Sequence, residues 1–258
     1  MSIPQAKKKI CSLIELLIPN ATELPLSHLD VGAGSGGLIK KFQQHFKFDS
    51  QACDFYTERF QLPSIKIQQT DFNNKPLPYQ NDSFDLVTSA EVVEHLENYR
   101  YLLREIYRIL KPGGVFIVTT PNVLNLKSRF RYYICGFANL FGPISVKMDN
   151  HYTTGSHITP IPYFYLAHGM LDAGFSNLIL ASDKRQKSSL LLLALTWPLL
   201  LPGRLYFQMD EKRRGNITQE NKRFIDETYS LDILLGRTVI IAATKPDKDA
   251  PELKAGSL

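Results

Sequence analysis

The chain has 258 residues, with 30 Lys and Arg against 25 Asp and Glu for a net charge of +5, and 44% of it is hydrophobic. That length suits one sizeable core with an appended subdomain, and the mild positive charge favours anionic surfaces without requiring nucleic acid or lipid. Three cysteines far apart, Cys11, Cys53 and Cys135, exclude a disulfide framework or a zinc knuckle and suggest buried thiols in a reducing, cytoplasmic setting.

Apolar Ala6, Ile10, Leu13, Ile14 and Leu17 recur at helical spacing until Pro19, so residues 5–18 predict a helix. Residues 1–27 read as a helical lid over a ligand pocket, with flat membrane contact as the rival reading. Lys7–Lys9 precede Ile10–Ile18, but Glu15 and the lack of a small-residue cleavage site argue against a secretory signal. His28–Val31 then reads as a short buried strand, followed by Gly32, Gly34 and Gly36, and by a helix over Leu38–Phe46.

Strand, glycine turn and helix make the first half of a nucleotide-binding βαβ unit, where glycines admit a ligand to the backbone and a helix N-terminus offers free N–H groups. The spacing is G-x-G-x-G rather than G-x-G-x-x-G, though Gly37 keeps the second pattern open. Asp30 at the strand tip is awkward for a pyrophosphate and suits a ligand with a cationic amino-acid end. That combination resembles motif I of the class I S-adenosylmethionine-dependent methyltransferases.

Phe48–Asp54 predicts a second strand ending in an acid, the position that accepts from ribose hydroxyls in doubly wound folds; Phe55 or Tyr56 would flank the adenine. Ile65–Gln69 predicts a third strand closed by Thr70-Asp71-Phe72. Asp71-Phe72 resembles the family's adenine-binding position, and a plain Asx-turn is the alternative. Ser83–Ala90 predicts strand four. The run FDLV…EVVEHL…REIYRILKPGGVFIVTTPN, with a helix face at Leu102, Leu103, Ile106, Ile109 and Leu110 and a strand at Val115–Thr120, resembles the segment after motif I in small-molecule members of the family, ubiquinone-pathway O-methyltransferases among them. The matching motifs cover about residues 28–122.

Gly136–Asn150 is irregular. Tyr163–Ala173 predicts a helix, Ser176–Ser182 strand six and Gly236–Thr244 a last strand, which the resemblance places antiparallel between strands five and six. Between them lies an insert opening on SSLLLLALTWPLLLPG, residues 188–203, flanked by Arg204 and Lys212–Arg214. Broken at Pro198, this run falls short of the roughly 18 apolar residues that span a bilayer. It suits contact with one leaflet through residues 189–203, a lid, or a dimer face. The expected architecture is α/β: a doubly wound, seven-stranded, mostly parallel sheet of the Rossmann-like methyltransferase type with a hydrophobic and basic insert before the last strand. Residues 1–27 are the lid, 28–182 the core, 183–235 the insert, and 236–258 the last strand with a frayed tail.

The resemblance implies S-adenosyl-L-methionine as cofactor, with Asp30, Gly32, Ala33, Gly34 and Gly36 at its amino-acid end, Asp54 and Phe55 at its ribose and base, Asp71 and Phe72 at its adenine, and Glu91 facing the transferable methyl. His157 is the candidate base. Glu91, Glu94 and His95 have i, i+3, i+4 spacing and resemble the metal site of small-RNA 2′-O-methyltransferases, but metal-free relatives carry the same run, and only His151 and His157 lie nearby to complete it. No metal ligand is assigned. The expected acceptor is small or lipid-linked and methylated at oxygen, in the cytoplasm or at the inner face of a membrane. A metal-assisted RNA 2′-O-methyltransferase and a non-catalytic methyltransferase-like binding protein are the alternatives. The modest charge and the lack of a basic domain with interleaved aromatics argue against nucleic acid.

Overall fold

The structure is a computed structural model that describes residues 4–144 and 156–247. Seven strands form one sheet: β1 (Leu26–Val31), β2 (Phe48–Asp54), β3 (Ile67–Gln69), β4 (Phe84–Ala90), β5 (Leu110–Pro121), β6 (Ser176–Ser182) and β7 (Thr238–Thr244). Their order is β3-β2-β1-β4-β5-β7-β6, and β7 runs antiparallel to both its neighbours, as expected. The strand order reverses between β1 and β4, the crevice where open α/β sheets bind ligands.

Strand residues alternate between two apolar faces. Leu86, Val115, Ile117 and Ile240 point to one side, where they bury the helices α1 (Pro4–Leu17) and α2 (Gly37–Phe42). Val87, Phe116, Val118 and Ile241 point to the other and pack on α3 (Tyr99–Ile109) and α5 (Tyr163–Asp172). Covered on both faces, the central strands read as continuous apolar runs.

Several expectations change here. α1 has a face built into the core, while its Lys7 reaches the glycine loop beside Gly37. Its Ile10, Leu13 and Ile14 are buried on the sheet with Leu38 and Phe42, so it is a core helix of the three-layer fold. α2 stops at Phe42, four residues early, and the chain turns so that Phe46 can pack back on Phe42. A helix absent from the sequence reading, α4 (Leu126–Cys135), follows β5, with Asn125 accepting from the Ser128 N–H at 2.9 Å as its cap. Cys135 is exposed on it, unlike the buried thiols of Cys11 and Cys53.

The insert folds as α6 (Ser189–Arg213), α7 (Gln219–Glu227) and α8 (Leu231–Leu235). α6 runs for 25 residues through Pro198 and Pro202, so the expected break at Pro198 does not occur, and the helix is long and apolar enough to cross a membrane by length and composition. The insert leaves and rejoins the sheet at one place. Arg185 pairs with Gly236, the Gln186 N–H donates to the Leu235 carbonyl at 2.8 Å, and the Asn122 amide donates to the carbonyls of Ile233 and Gly236 at 2.8 and 2.9 Å.

Candidate active site

The C-terminal tips of β1, β2 and β4 bring Asp30, the glycine loop, Asp54 and Glu91 together at the reversal point of the sheet. Gly32, Gly34 and Gly36 all have positive φ, at 75°, 54° and 79°. At Gly32 a Cβ would sit 2.2 Å from Val92 Cγ2, whereas at Gly34 it would meet nothing within 4 Å. The first glycine is therefore required by packing, and the second by its backbone angle at the open face of the loop.

The loop amides are already engaged. The N–H groups of Gly32 and Ala33 donate to the Cys53 carbonyl at 2.8 and 3.3 Å, and that of Gly34 donates to Asp54 Oδ2 at 2.7 Å. Amides spent on protein acceptors beside two acids make a poor nest for a pyrophosphate. Carboxylates with spare lone pairs suit a ligand that donates hydrogen bonds and carries positive charge, as S-adenosylmethionine does at its ammonium, ribose hydroxyls and sulfonium.

Asp30 is 2% exposed, and Thr88 Oγ1 donates to its Oδ1 at 2.8 Å. Burial pushes its carboxyl up to about 7 against the Thr88 hydrogen bond; the Asp54 charge adds to the rise and Lys7 opposes it. Behind Thr88 stands His28, fully buried, with Nε2 3.0 Å from Thr88 Oγ1 and Nδ1 3.0 Å from Ser50 Oγ. Since Thr88 spends its proton on Asp30, His28 donates from Nε2 and accepts from Ser50. Sequence reading missed this relay of Ser50, His28, Thr88 and Asp30. Its only signal is polar residues inside otherwise apolar strands.

Asp54 accepts from Gly34 and, through Oδ1, from the Tyr56 N–H at 2.9 Å. Phe55 and Tyr56 rings meet edge to face at 5.1 Å beside it. Asp71 closes an Asx-turn, accepting from the Asn73 N–H at 2.9 Å, and Phe72 is buried in the core with Leu77 and Val93. The Asx-turn reading thus describes the local geometry at Asp71.

Glu91 follows β4 with φ at 59°, a conformation a non-glycine residue holds only when its surroundings impose it. Thr119 imposes it: its carbonyl accepts from the Glu91 N–H at 3.1 Å and its hydroxyl donates to Glu91 Oε1 at 3.0 Å. Val93–His95 is a single 3-10 turn rather than an α-helix, so Glu91, Glu94 and His95 do not share one helix face. Glu94 is 0% exposed; its Oε2 accepts from Thr120 Oγ1 at 3.1 Å, while Oε1 has no partner. Burial, reinforced by the Glu91 charge, holds the Glu94 carboxyl well above the usual carboxylate range.

The Glu94 carbonyl accepts from Ile158 and Thr159, both at 3.0 Å, and the His95 Nδ1–H donates to the Ser156 carbonyl at 2.8 Å, which fastens segment 156–159 to this turn. His157 is carried there, its ring centroid 4.9 Å from that of His95 and its Nδ1 buried without a partner. Ligand atoms of Glu94, His95 and His157 lie within 4.8 Å of one another, a set able to hold a divalent ion, in which Glu91 is not included. His151 lies outside the described residues. Burial first, then the neighbouring His95, lowers His157, so its imidazole is neutral at neutral pH. On its other side His157 lines a cavity of about 540 Å³ with Leu124, Tyr132, Phe137, Phe141 and Pro162.

Residues 4–179 match the family model described as methyltransferase domain. The chain is 31% identical over 102 residues to a sarcosine/dimethylglycine N-methyltransferase of Aphanothece halophytica, covering 36% of this chain and 37% of that protein. It is 30% identical over 136 residues to a demethylmenaquinone methyltransferase of Listeria welshimeri, covering 48% and 58%. The chain thus spans between about a third and three fifths of the length of these relatives. Among solved structures, a SAM-dependent methyltransferase from Archaeoglobus fulgidus superposes with a TM-score of 0.56 at 16% identity, over 93% of this chain and 94% of that one. Phosphoethanolamine N-methyltransferase 2 of Haemonchus contortus, in complex with S-adenosyl-L-methionine, gives 0.52 at 17% identity over 93% and 53%. The chain belongs to the methyltransferase-domain family of S-adenosylmethionine-dependent class I enzymes.

Proposed function

We propose that this chain transfers a methyl group from S-adenosylmethionine to a hydroxyl oxygen of an acceptor that is small or lipid-linked and carries a substantial apolar part. The cavity between α4 and residues 156–162 supports this reading: its lining is mostly apolar, and one ionisable base, His157, stands at its edge. The named acceptors of the relatives, sarcosine or dimethylglycine and demethylmenaquinone, differ in kind, so support for oxygen comes from the cavity alone. The three free thiols, with Cys135 exposed, support a reducing, cytoplasmic location.

Bound S-adenosylmethionine supplies a methyl already activated by the sulfonium charge. The protein's work is therefore alignment, exclusion of water and removal of one proton. Asp30, Asp54 and the loop fix the donor end, and Glu91, held by Thr119, faces the reacting carbon. With the donor bound, neutral His157 would take the proton from the acceptor hydroxyl as that oxygen is methylated. A screen of hydroxyl, amine and carbon acceptors with labelled methyl donor tests the reading. Transfer to hydroxyl acceptors that falls at least tenfold in His157→Asn is expected. Transfer confined to amines, or an unchanged rate in that variant, overturns it.

A second reading rests on the unpartnered Glu94 Oε1 and His157 Nδ1, which leave the set with His95 ready for a divalent ion. On that reading the ion positions the acceptor oxygen, as the RNA 2′-O-methyltransferase alternative requires. Turnover abolished by chelator and restored by a divalent ion would favour it, and chelator-resistant turnover would remove it.

A further inference from the structure

We infer that α4 and α6 together form a docking surface for an anionic lipid bilayer, which turns the mouth of the acceptor cavity toward the leaflet. The part concerning acceptor entry rests on the methyltransferase reading above; the membrane contact does not. α6 and α4 meet through Leu126, Leu192, Leu193 and Leu200, with Leu234 and Leu235 of α8 behind them. Outward of that seam stands a run of large exposed apolar side chains. None of the 18-residue apolar window of α6 is buried, and Leu195, Trp197 and Leu199 are 67%, 53% and 76% exposed. α4 extends the patch with Tyr132, Tyr133 and Ile134, at 62%, 87% and 65%. Contiguous apolar surface of this extent marks an interaction site.

Charge selects the occupant. Lys184 and Lys187 are exposed at one end of α6, and Lys212 and Arg213 at the other, so the apolar run is bracketed by cations as an anionic interface requires. A second copy of the chain would bring the same cations against each other.

The geometry also sets how deep the contact goes. At about 1.5 Å per residue α6 is long enough to cross a hydrocarbon core, but it lies along the folded body over both halves. Leu192 and Leu193 pack on α8 near its start, and beyond its middle Arg204 and Gln208 both donate to Asp226 of α7, at 2.7 and 2.8 Å. A perpendicular crossing would draw that ion pair and α7 into hydrocarbon. α6 therefore lies flat in the interface. Tyr132 of α4 and Phe137 just after it, both exposed, line the same cavity as His157. A lipid-borne acceptor would enter between them with its apolar chain still in the leaflet and its hydroxyl leading.

The protein carries its own probe, since Trp197 is the one tryptophan in the chain and sits in the middle of this surface. With the full chain, vesicles of phosphatidylglycerol in phosphatidylcholine are expected to shift Trp197 emission to the blue, to bring on quenching by bromine placed in the acyl chains, and to float the protein. Lys212→Glu with Arg213→Glu should weaken this binding about tenfold or more, in keeping with about 1 kcal/mol per surface cation. Leu195→Glu with Leu199→Glu should abolish it without moving the melting temperature or the affinity for S-adenosylmethionine, because both side chains are exposed. No blue shift and no flotation would overturn the proposal, as would a blue shift that appears without lipid and follows protein concentration, the sign of a second copy on this face. Loss of methyl transfer with membrane binding intact would fail the acceptor reading alone.

Discussion

The proposed donor end and the proposed acceptor end of this molecule are built by opposite rules. At the tips of β1, β2 and β4 each of the three acids is fixed by hydrogen bonds from the protein. Asp30 is held by Thr88, which His28 backs in turn, Asp54 by the glycine loop, and Glu91 by Thr119. Around α4, residues 156–162 and α6, by contrast, a buried carboxyl oxygen and an imidazole nitrogen have no partner, and large apolar side chains face outward. A site completed before its ligand arrives loses little to reorganisation and accepts one ligand. A site left with unspent polar groups and bare apolar surface is finished by whatever binds it.

The severest way to break the prebuilt end is Gly32→Ala. Its Cβ would land 2.2 Å from Val92 at a φ of 75°, so cofactor affinity should fall on the order of 100-fold and the melting temperature should drop, read by calorimetry and thermal denaturation. Gly34→Ala is the informative contrast. With nothing within 4 Å of its Cβ, only the backbone strain of about 1 kcal/mol is expected, with weaker cofactor binding and an intact fold. The acceptor end is probed by His157→Ala, expected to lower kcat by about 100-fold. S-adenosylmethionine affinity should stay unchanged, because among the described residues the ring neighbours of His157 are His95 and Phe141.

Asp54→Ala should weaken cofactor binding about tenfold, less than Gly32→Ala, since it removes the proposed ribose acceptor and the anchor of the Gly34 N–H without a clash. Unchanged affinity would remove Asp54 from the donor site. The smallest effect concerns pH. Burial raises Asp30 to about 7, so at pH 6 it is mainly protonated and at pH 8 mainly charged, and a cationic ligand prefers the charged form. Affinity for S-adenosylmethionine should therefore tighten several-fold from pH 6 to pH 8, and Asp30→Asn should flatten that slope. The sign for stability is the reverse. A carboxyl raised in the folded state favours folding most below the ordinary value near 4 and loses that contribution as pH rises through about 7, so the unliganded Asp30→Asn variant should gain stability mostly at alkaline pH.

The same contrast explains what the sequence disclosed. Donor-end elements were legible because local signals agree: three alternate glycines, an acid at each strand tip, and strands such as Phe48–Asp54 and Ser176–Ser182 whose bounds the structure repeats. α4 was not legible, since LKSRFRYYIC turns Phe130, Tyr132, Tyr133 and Ile134 to solvent and so lacks the inward stripe that marks a helix. The apolar run opening α6 was read as too short to span a bilayer because Pro198 interrupts it, yet Pro198 and Pro202 are accommodated within one 25-residue helix. For α1, amphipathic spacing shows that a helix has a buried face but not what covers it, so its packing on the sheet was not legible. The relay behind Asp30 was invisible for a related reason: His28, Ser50 and Thr88 lie on three different strands and meet only through their register.

The pairing of Arg185 with Gly236 has a consequence for how such a molecule changes over time. Because departure and return lie side by side, the segment between them is a branch hung from the sheet rather than a link within it. A branch can lengthen, shorten or be exchanged while the strand order stays as it was. Grafting a different excursion in place of α6 alone, with Phe224 and Ile233 kept in the core, should change the vesicle binding proposed for α6 and leave cofactor affinity the same.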